Sequence, residues 1–520
     1  MAEKALTKKQ EFATSQFKGM NTQALRQAIG DGQQAWLENI QPIGDANART
    51  VPAMSAALAT LTGASIPYIA MGFNIIIGGS ATDILMIAST NGNLWQFNCQ
   101  TNALVQVSAS SNFQKASFAQ WKNERILICD ETSGLWDWDG VTLNNAGYQS
   151  QPASGQHIAT FSGRVWVSNN RTVSFSAANS YNDYRSGGGN TGGTFIVTDE
   201  TLHSSIQQLT SANNFLYIFG TSSVNVISDV RVVSGVTLFT NTNLSTGVGT
   251  PFPLSATIFG RAVFFAAVTG FQALYGSSAQ KISNELDGIF PLISGLTTPA
   301  ALGSAPTISA GVVSLNNILC LCFLFRYSDP QLGSVRPLLA VFFDGKWFVA
   351  SQGTNSGIGS LTLICDNDVD GENKLYGLDS SGNIYELFAD ASAEVPYRWQ
   401  TALWDFGAPV MFKQGIKAGI GVNFSSQAAT ATVALDTESS SNSFTLVGGN
   451  GLVFVGLGGA PIIWTPPSPP ITWLSGGYVL LQSDVTNIGR YLGLTVTGNA
   501  IDATFTLALL EYNYRSQWGT

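Results

Sequence analysis

One unit recurs along the chain and limits what it can fold into. It is an apolar, alternating strand, a short polar turn often carrying Gly, and a second strand that starts on an aromatic or apolar residue. It reads ILMIASTNGNLWQFN at Ile84–Asn98, RILICDETSGLWDWDG at Arg125–Gly140 and RVWVSNNRTVSFSA at Arg164–Ala177. It returns as FLYIFGTSSVNVIS at Phe215–Ser228, RAVFFAAVTGFQALYG at Arg261–Gly276 and KLYGLDSSGNIYELF at Lys374–Phe388. A variant hairpin lies between, ILCLCFLF at Ile318–Phe325 followed by LLAVFFDGKWFVAS at Leu338–Ser351. The units start about 40–57 residues apart, the period of one four-stranded β-propeller blade. A single blade cannot bury two apolar faces, so blades with this pattern stack around an axis. Seven hairpins fit six or seven blades. A blade shared between the chain ends would close the ring, and six is the expected count.

The pattern changes near Ala391–Pro396. Longer alternating strands follow at Gln414–Phe424, Thr430–Leu435, Ser443–Val447, Leu492–Thr497 and Thr504–Tyr514. Between them lie the stiff segment Pro466–Pro470 and an expected exposed loop around Gly448–Gly477. The expected division is an N-terminal arm over 1–50, a propeller over 51–395 and a β-sandwich-like C-terminal domain over 396–520. Few segments look helical. The best candidate, Asn21–Asn39, is broken by Gly30 and Gly32. The fold class is therefore all-β.

Composition narrows the setting. Hydrophobic residues make up 45% of the 520, which is ample for a core. Charged residues make up only 11%, against about 25% in an ordinary soluble domain. Ser, Thr, Asn, Gln and 54 Gly take their place, which suits loop-rich β structure, extracellular exposure or permanent burial against other subunits. The net charge is -9, and the one basic run is Lys4, Lys8 and Lys9. A protein that grips nucleic acid needs clustered Lys and Arg. A weakly acidic wall fits only a passage through which DNA slides without being held. The start of the chain lacks the apolar core of a secretory signal, and no apolar run is long enough for a membrane span. The expectation is a chain made and folded in a cytoplasm.

Chemistry-bearing motifs are sparse. Asp366–Gly371 reads DNDVDG and matches the start of a calcium loop, in which carboxylates on a tight turn offer oxygens to one hard cation. Asp366, Asp368 and Asp370 are the candidate ligands. The twelfth position, which wants a carboxylate, is Gly377, and Asp379 would have to substitute. The competing reading is a solvated acidic turn. His157 and His203 are the only histidines, and each reads more simply as a hydrogen-bonded structural residue than as a catalytic base, although Asp199 and Glu200 lie near His203. The Gly-rich stretch Ser186–Gly193 is not followed by a helix, so it reads as a loop and not a phosphate cradle. The five cysteines, Cys99, Cys129, Cys320, Cys322 and Cys365, are odd in number and read as buried thiols. Trp95, Trp136, Trp138 and Trp166 sit within blade hairpins, where packing between blades is their simplest role. No catalytic residues are assigned and no cofactor is called, and the chain is expected not to be an enzyme.

Four phrases resemble one family. The opening carries Gly19-Met20-Asn21-Thr22, then Glu38-Asn39, Pro42, Gly44 and Arg49. RVWVSNNRTVSFSAANSYNDYR at Arg164–Arg185, SSIQQLTSANNFLYIFGTSSVNVIS at Ser204–Ser228 and WDFGAPVMFKQGIKAGIGVNF at Trp404–Phe424 follow. Together they resemble tail nozzle, or head-to-tail stabilisation (tail tubular), proteins of short-tailed bacteriophages. The resemblance implies a virion tail protein assembled in a host cytoplasm. Six copies would form a ring below an adaptor ring, retain packaged DNA, conduct it during ejection and support fibres or a spike. It carries no active-site residues. Two rivals remain: a carbohydrate-binding propeller and a polysaccharide-degrading propeller enzyme, which would need a pair of carboxylates across a cleft.

Overall fold

The strand Ser80–Ser89 shows why the chain folds as it does. In a strand, successive side chains point to opposite faces. Ile84, Met86 and Ala88 enter a core with Phe118, Ile126, Ile128 and Trp138 of the next hairpin unit. Leu85 and Ile87 enter a different core with Leu363, Cys365, Tyr376, Leu378 and Ile384, from the far end of the chain. All five side chains of this run are fully buried. One strand thus serves two seams, and its apolar run has no polar face.

The same rule repeats around the axis. Ile126 and Ile128 face one neighbour, while Leu127 and Cys129 pack with Val165 and Val167 on the other side. Trp166 meets Leu216 and Ile218, and Tyr217 and Phe219 meet Val263 and Phe265. Phe271 stacks on Phe323 with ring centroids 4.0 Å apart. Trp95, Trp138 and Trp166 lie in these seams, as the hairpins predict, and Trp136 packs on Phe113 at their edge.

The computed structural model describes residues 9–63, 65–108, 112–145, 147–198, 204–276, 278–351, 361–424, 430–447 and 479–515. The chain separates into two compact units. The first to be described, Met54–Gly345 with Asn355–Leu387, is the β-propeller. It holds six four-stranded antiparallel blades, whose innermost strands are Pro67–Ile77, Ser117–Trp121, His157–Phe161, Gln208–Ala212, Thr257–Phe259 and Leu361–Val369. The variant hairpin forms a further antiparallel ladder, Ile308–Leu315, Ile318–Asp329 and Ser334–Phe343, between the fifth and sixth of these blades. Its inner strand packs against both Thr257–Phe259 and Leu361–Val369. Seven inner strands therefore line the axis.

The expected closure between chain ends is present. The outermost strand of the last blade is Ala59–Thr60, which pairs with Asn383–Ile384. Ser55, Leu58 and Leu61 extend the zip through backbone bonds to Glu386, Ile384 and Gly382.

The second unit comprises Met1–Ala53, Lys346–Thr354 and Phe388–Thr520. It is a sandwich of two sheets. One runs Ile40–Ile43, Asn47–Thr50, Ala503–Arg515, Phe412–Phe424, Val479–Asp484, with Gln10–Thr14 also paired to Ala503–Arg515. The other runs Trp36–Glu38, Val395–Gln400, Leu492–Ala500, Thr430–Thr437, Ser441–Val447. Between them, Phe505 meets Tyr397 and Trp399 at 5.1 and 5.8 Å. All five strands expected after residue 396 are found.

One expectation gains detail and one changes. Within the expected N-terminal arm, Gln10–Thr14 and Asn47–Thr50 hydrogen-bond to Ala503–Arg515 and complete the sandwich. Residues 21–39 contain no helix. Gly32 sits at φ +80 and Trp36–Glu38 is a buried strand. The PPSPP segment lies outside the described residues.

Gly72 marks the tightest approach of two inner strands. A Cβ there would lie 2.2 Å from the Asp366 carbonyl oxygen and 2.7 Å from the Asn367 Cβ. At Gly311 the nearest atom is the methyl end of the Leu375 side chain, at 2.6 Å, rather than backbone. Gly72→Ala should therefore destabilise the protein by about 3 kcal/mol, at the upper end of overpacking costs. Gly311→Ala should cost clearly less. Denaturant unfolding of the two variants checks the order.

Candidate functional site

The DNDVDG segment is a hairpin. Leu361–Val369 pairs with Glu372–Asp379 and the last pair is Val369 with Glu372, so Asp370 and Gly371 alone make the turn. Their φ values, +53 and +85, are those of a two-residue type I′ turn, which favours Asp-Gly. Asp366 and Asp368 belong to the strand, which advances roughly 6.6 Å per two residues. The three carboxyl-bearing residues are thus spread along the backbone, not wrapped around one point. Asp379 is committed elsewhere. It accepts hydrogen bonds from the backbone N–H groups of Ser381 and Asn383, from Asn383 Nδ2 and from the Tyr385 hydroxyl. Among the described residues, no three His, Cys, Asp or Glu side chains gather as metal ligands. The segment is thus a hairpin whose turn is Asp370–Gly371, with Asp366 and Asp368 in the strand leading to it.

What the hairpin does instead centres on Asp83, a residue the sequence reading passed over. It lies at the start of the apolar run of Ser80–Ser89 and is buried. Asp83 Oδ1 accepts from Asn74 Nδ2 at 2.5 Å. Its Oδ2 accepts from Gln100 Nε2 at 3.1 Å and from the Asp370 backbone N–H at 3.3 Å. Gln100 Nε2 also reaches Asp370 Oδ1, and Asn74 Nδ2 donates to the Asp368 carbonyl. The first and last blades are thereby latched by polar groups beside the apolar seam.

The propeller axis holds the other concentration of polar groups. A cavity of about 240 Å³ is lined by the inner strands, including Gly72, Ser117, His157, Gln208, Thr257 and Asp366. Gln208 is fully engaged, since its side chain both donates to and accepts from the Ala256 backbone. His157 is buried and donates to the Ile206 carbonyl. Burial pushes its pKa down to about 4, so the ring is neutral at pH 7. Asp366 is half-buried and lines the cavity. Burial raises its pKa to about 6, partly offset by the hydrogen bond from the Val312 backbone N–H. The two residues singled out from sequence for separate reasons thus line one cavity, but neither has the geometry of a catalytic pair with a nucleophile.

The remaining candidates resolve simply. His203, with Asp199 and Glu200, lies outside the described residues, as does the loop around Gly448–Gly477. Ser186–Gly187 and Asn190–Thr191 form a small hairpin in the Gly-rich stretch. All five cysteines are buried free thiols. Burial raises the pKa of each, pushing Cys99 up to about 11 and Cys320 up to about 12.

Two predictions follow from this geometry. Asp83→Ala removes a buried carboxylate shared by three donors on exposed residues, which can turn to water, and should cost about 1.5–2 kcal/mol. Asp370→Ala, at an exposed turn, should cost under about 1 kcal/mol. A calcium loop would reverse that order and make the melting temperature depend on calcium. The second prediction concerns pH. Between about 4 and 6, folded Asp366 keeps a proton that the unfolded chain, with a pKa of 3.8, has released. Its contribution to stability therefore falls as pH rises through that window. His157 acts oppositely: the unfolded chain takes a proton below 6.5 while the folded ring stays neutral down to about 4, so stability falls as pH falls. Each effect is worth about 3 kcal/mol at full extent. Relative to the parent, Asp366→Asn should gain stability progressively from pH 4 to 7. His157→Gln should gain it progressively from pH 6.5 to 4. Parallel thermal melts across that range check both.

No family model matches the chain, and no curated protein matches it. Among solved structures it is similar to the N-terminal domain of Nup159, at 9% identity over 68% of this chain and 98% of that one, with a TM-score of 0.37. It is also similar to the computationally designed Ika8 protein, at 11% identity over 64% and 99%, TM-score 0.37. A third is the extracellular domain of a one-component system from B. thetaiotaomicron, at 10% identity over 64% of this chain and 39% of that chain, TM-score 0.42. Likenesses at this level carry no argument about what the protein does.

Proposed function

We propose that the chain is a structural component of a virion tail, a ring-forming nozzle subunit of the short-tailed phage type. In this reading it closes the head-to-tail channel, retains packaged DNA and conducts it during ejection.

One observation carries the proposal. The residues of the resembling phrases near both chain ends are the ones that tie the sandwich unit together. Gly19 sits at φ +97 with the Trp347 backbone 3.2 Å from where its Cβ would be. The Met20 backbone N–H donates to the Trp347 carbonyl. Asn39, at φ +57, donates through Nδ2 to Ser351 Oγ and the Pro396 carbonyl, and its Oδ1 accepts from the Ser351 backbone N–H. Arg49 makes a two-pronged ion pair with Asp502, at 2.8 Å on each side. Phe406, of the DFG phrase, stacks on Tyr512 at 4.2 Å. Two of the four phrases, the opening one and Trp404–Phe424, thus share one physical job, while Arg164–Arg185 and Ser204–Ser228 lie in the propeller. A ring subunit needs such a rigid unit for contacts with its own kind. The propeller, inserted between its segments, is free to serve other partners, such as an adaptor ring, fibres or a spike. The net charge of -9 suits a conduit that does not hold DNA.

The test is direct. The full chain, alone and with an adaptor ring, is examined by light scattering and negative-stain microscopy. Closed rings, sixfold by expectation, support the proposal. A stable monomer at high concentration under both conditions overturns it. Specific hits on a glycan array would move the assignment to the carbohydrate-binding reading.

A further inference from the structure

The axial cavity of the propeller unit, about 240 Å³, has walls built from strand edges. Each innermost strand has a ladder partner on one side only, so the backbone groups of its other edge face the axis without one. Two loops roof one end. Leu254, at φ +75, precedes the fifth inner strand yet packs against the core between the first two blades. Its carbonyl accepts from the Ala310 N–H. Leu302 lines the cavity, and a Cβ on the next residue, Gly303, would lie 2.2 Å from the Gln114 carbonyl oxygen beside the second blade. Both loops therefore cross the axis at the end where the inner strands begin.

Among the lining residues, Asp366 alone is charged at pH 7. Gly311 of the adjoining ladder makes room for its carboxylate, since a Cβ there would lie 3.2 Å from Asp366 Oδ1. The Val312 backbone N–H donates to it. No Lys or Arg lines the cavity, and His157 is neutral at pH 7. The other titratable neighbours are the thiols of Cys322 and Cys365, which burial keeps protonated. Burial raises the Asp366 pKa to about 6, so at pH 7 the fold holds a charge that its surroundings oppose. A carboxylate left without a counter-charge in such a place calls for a cation.

We propose that the axial cavity binds a small primary alkylammonium ion, its N–H groups on Asp366 and its carbon chain against the apolar wall. Met71, Phe118, Leu254 and Leu302 supply that wall. The three N–H donors of a primary ammonium match one carboxylate together with strand-edge carbonyls and the hydroxyl residues Ser117 and Thr257. A divalent metal fits the donors poorly. Hard divalent cations gather several carboxylates, and among the described residues no three His, Cys, Asp or Glu side chains come together. The bound amine supplies the missing counter-charge, so it also stabilises the fold by mass action. Every lining residue belongs to the propeller unit, and the site stands whether or not copies of the chain form a ring.

The experiment titrates n-propylammonium chloride onto the full-length chain at constant ionic strength and reads binding by calorimetry and by saturation-transfer NMR. Saturable one-site binding is expected at pH 7. Affinity should fall at least tenfold in Asp366→Asn. It should also fall about tenfold from pH 7 to pH 5, where Asp366 is protonated and His157 is still mostly neutral. 1-Propanol, which has the same carbons and no charge, should bind at least tenfold more weakly than the amine. Asp366→Asn removes an uncompensated charge and keeps the shape, so its circular dichroism and melting at pH 7 should match or exceed the parent's, and its loss of binding then reads the site and not the fold. Equal affinity in the parent and Asp366→Asn overturns the proposal. So does the absence of saturable binding up to about 0.1 M amine. Sodium or potassium displacing the amine at equal concentration assigns the carboxylate to a metal cation and overturns it as well.

Discussion

The propeller depends on the two-residue period of its middle strands. Because alternate side chains of Ser80–Ser89 feed different seams, neither seam can be assembled without placing the strand between two neighbours. Each blade is apolar on both faces and is stable only when flanked. The last seam is therefore a topological necessity: a row of such blades left open would expose the Leu363, Tyr376 and Leu378 face to water. The chain meets it by lending Ala59–Thr60 from its start to the blade formed by its end.

Two residues of ladder are a short fastening for a ring. The Asp83 latch explains how it suffices. Asp83 draws Asn74, Gln100 and the Asp370 N–H onto one buried carboxylate, and hydrogen bonds to a charged group are worth more than neutral ones. The same geometry needs the sharp Asp370–Gly371 turn to bring the Asp370 N–H back to the first blade. Asp368, through its carbonyl, and Asp370, through its N–H and Oδ1, are in this sense seam chemistry, while Asp366 lines the axial cavity. Polar pairing here also specifies register, since an apolar seam alone tolerates sliding.

Much of this was legible in the sequence because period and spacing are properties of the chain. The seven hairpins, the change of pattern after residue 391 and the buried cysteines and tryptophans could be read off directly. What could not be read were contacts between distant residues. DNDVDG has the residue types of a calcium loop, and only the register of Val369 with Glu372 shows that four of its six residues are strand. Asp83 was invisible because a single acid at the edge of an apolar run looks like a strand end; its three donors come from positions 74, 100 and 370. The first fifty residues looked like an arm because their strands are short and the partners of Gln10–Thr14 and Asn47–Thr50 in Ala503–Arg515 lie more than 450 residues away. His157 and Asp366 were each noted, but their sharing of one axial cavity follows from blade geometry and not from spacing.

The low charge also takes on a different meaning. Uncharged polar residues and Gly are consumed in quantity by hairpin turns that require positive φ. Asn213-Asn214 and Asn316-Asn317 both turn with two left-handed residues, as do Ser162-Gly163, Ser234-Gly235, Asp344-Gly345 and Asp370-Gly371. A fold made of short antiparallel strands must spend its composition this way whether or not it assembles. The scarcity of charge is thus explained by turn chemistry, and it makes no separate argument for burial against other subunits.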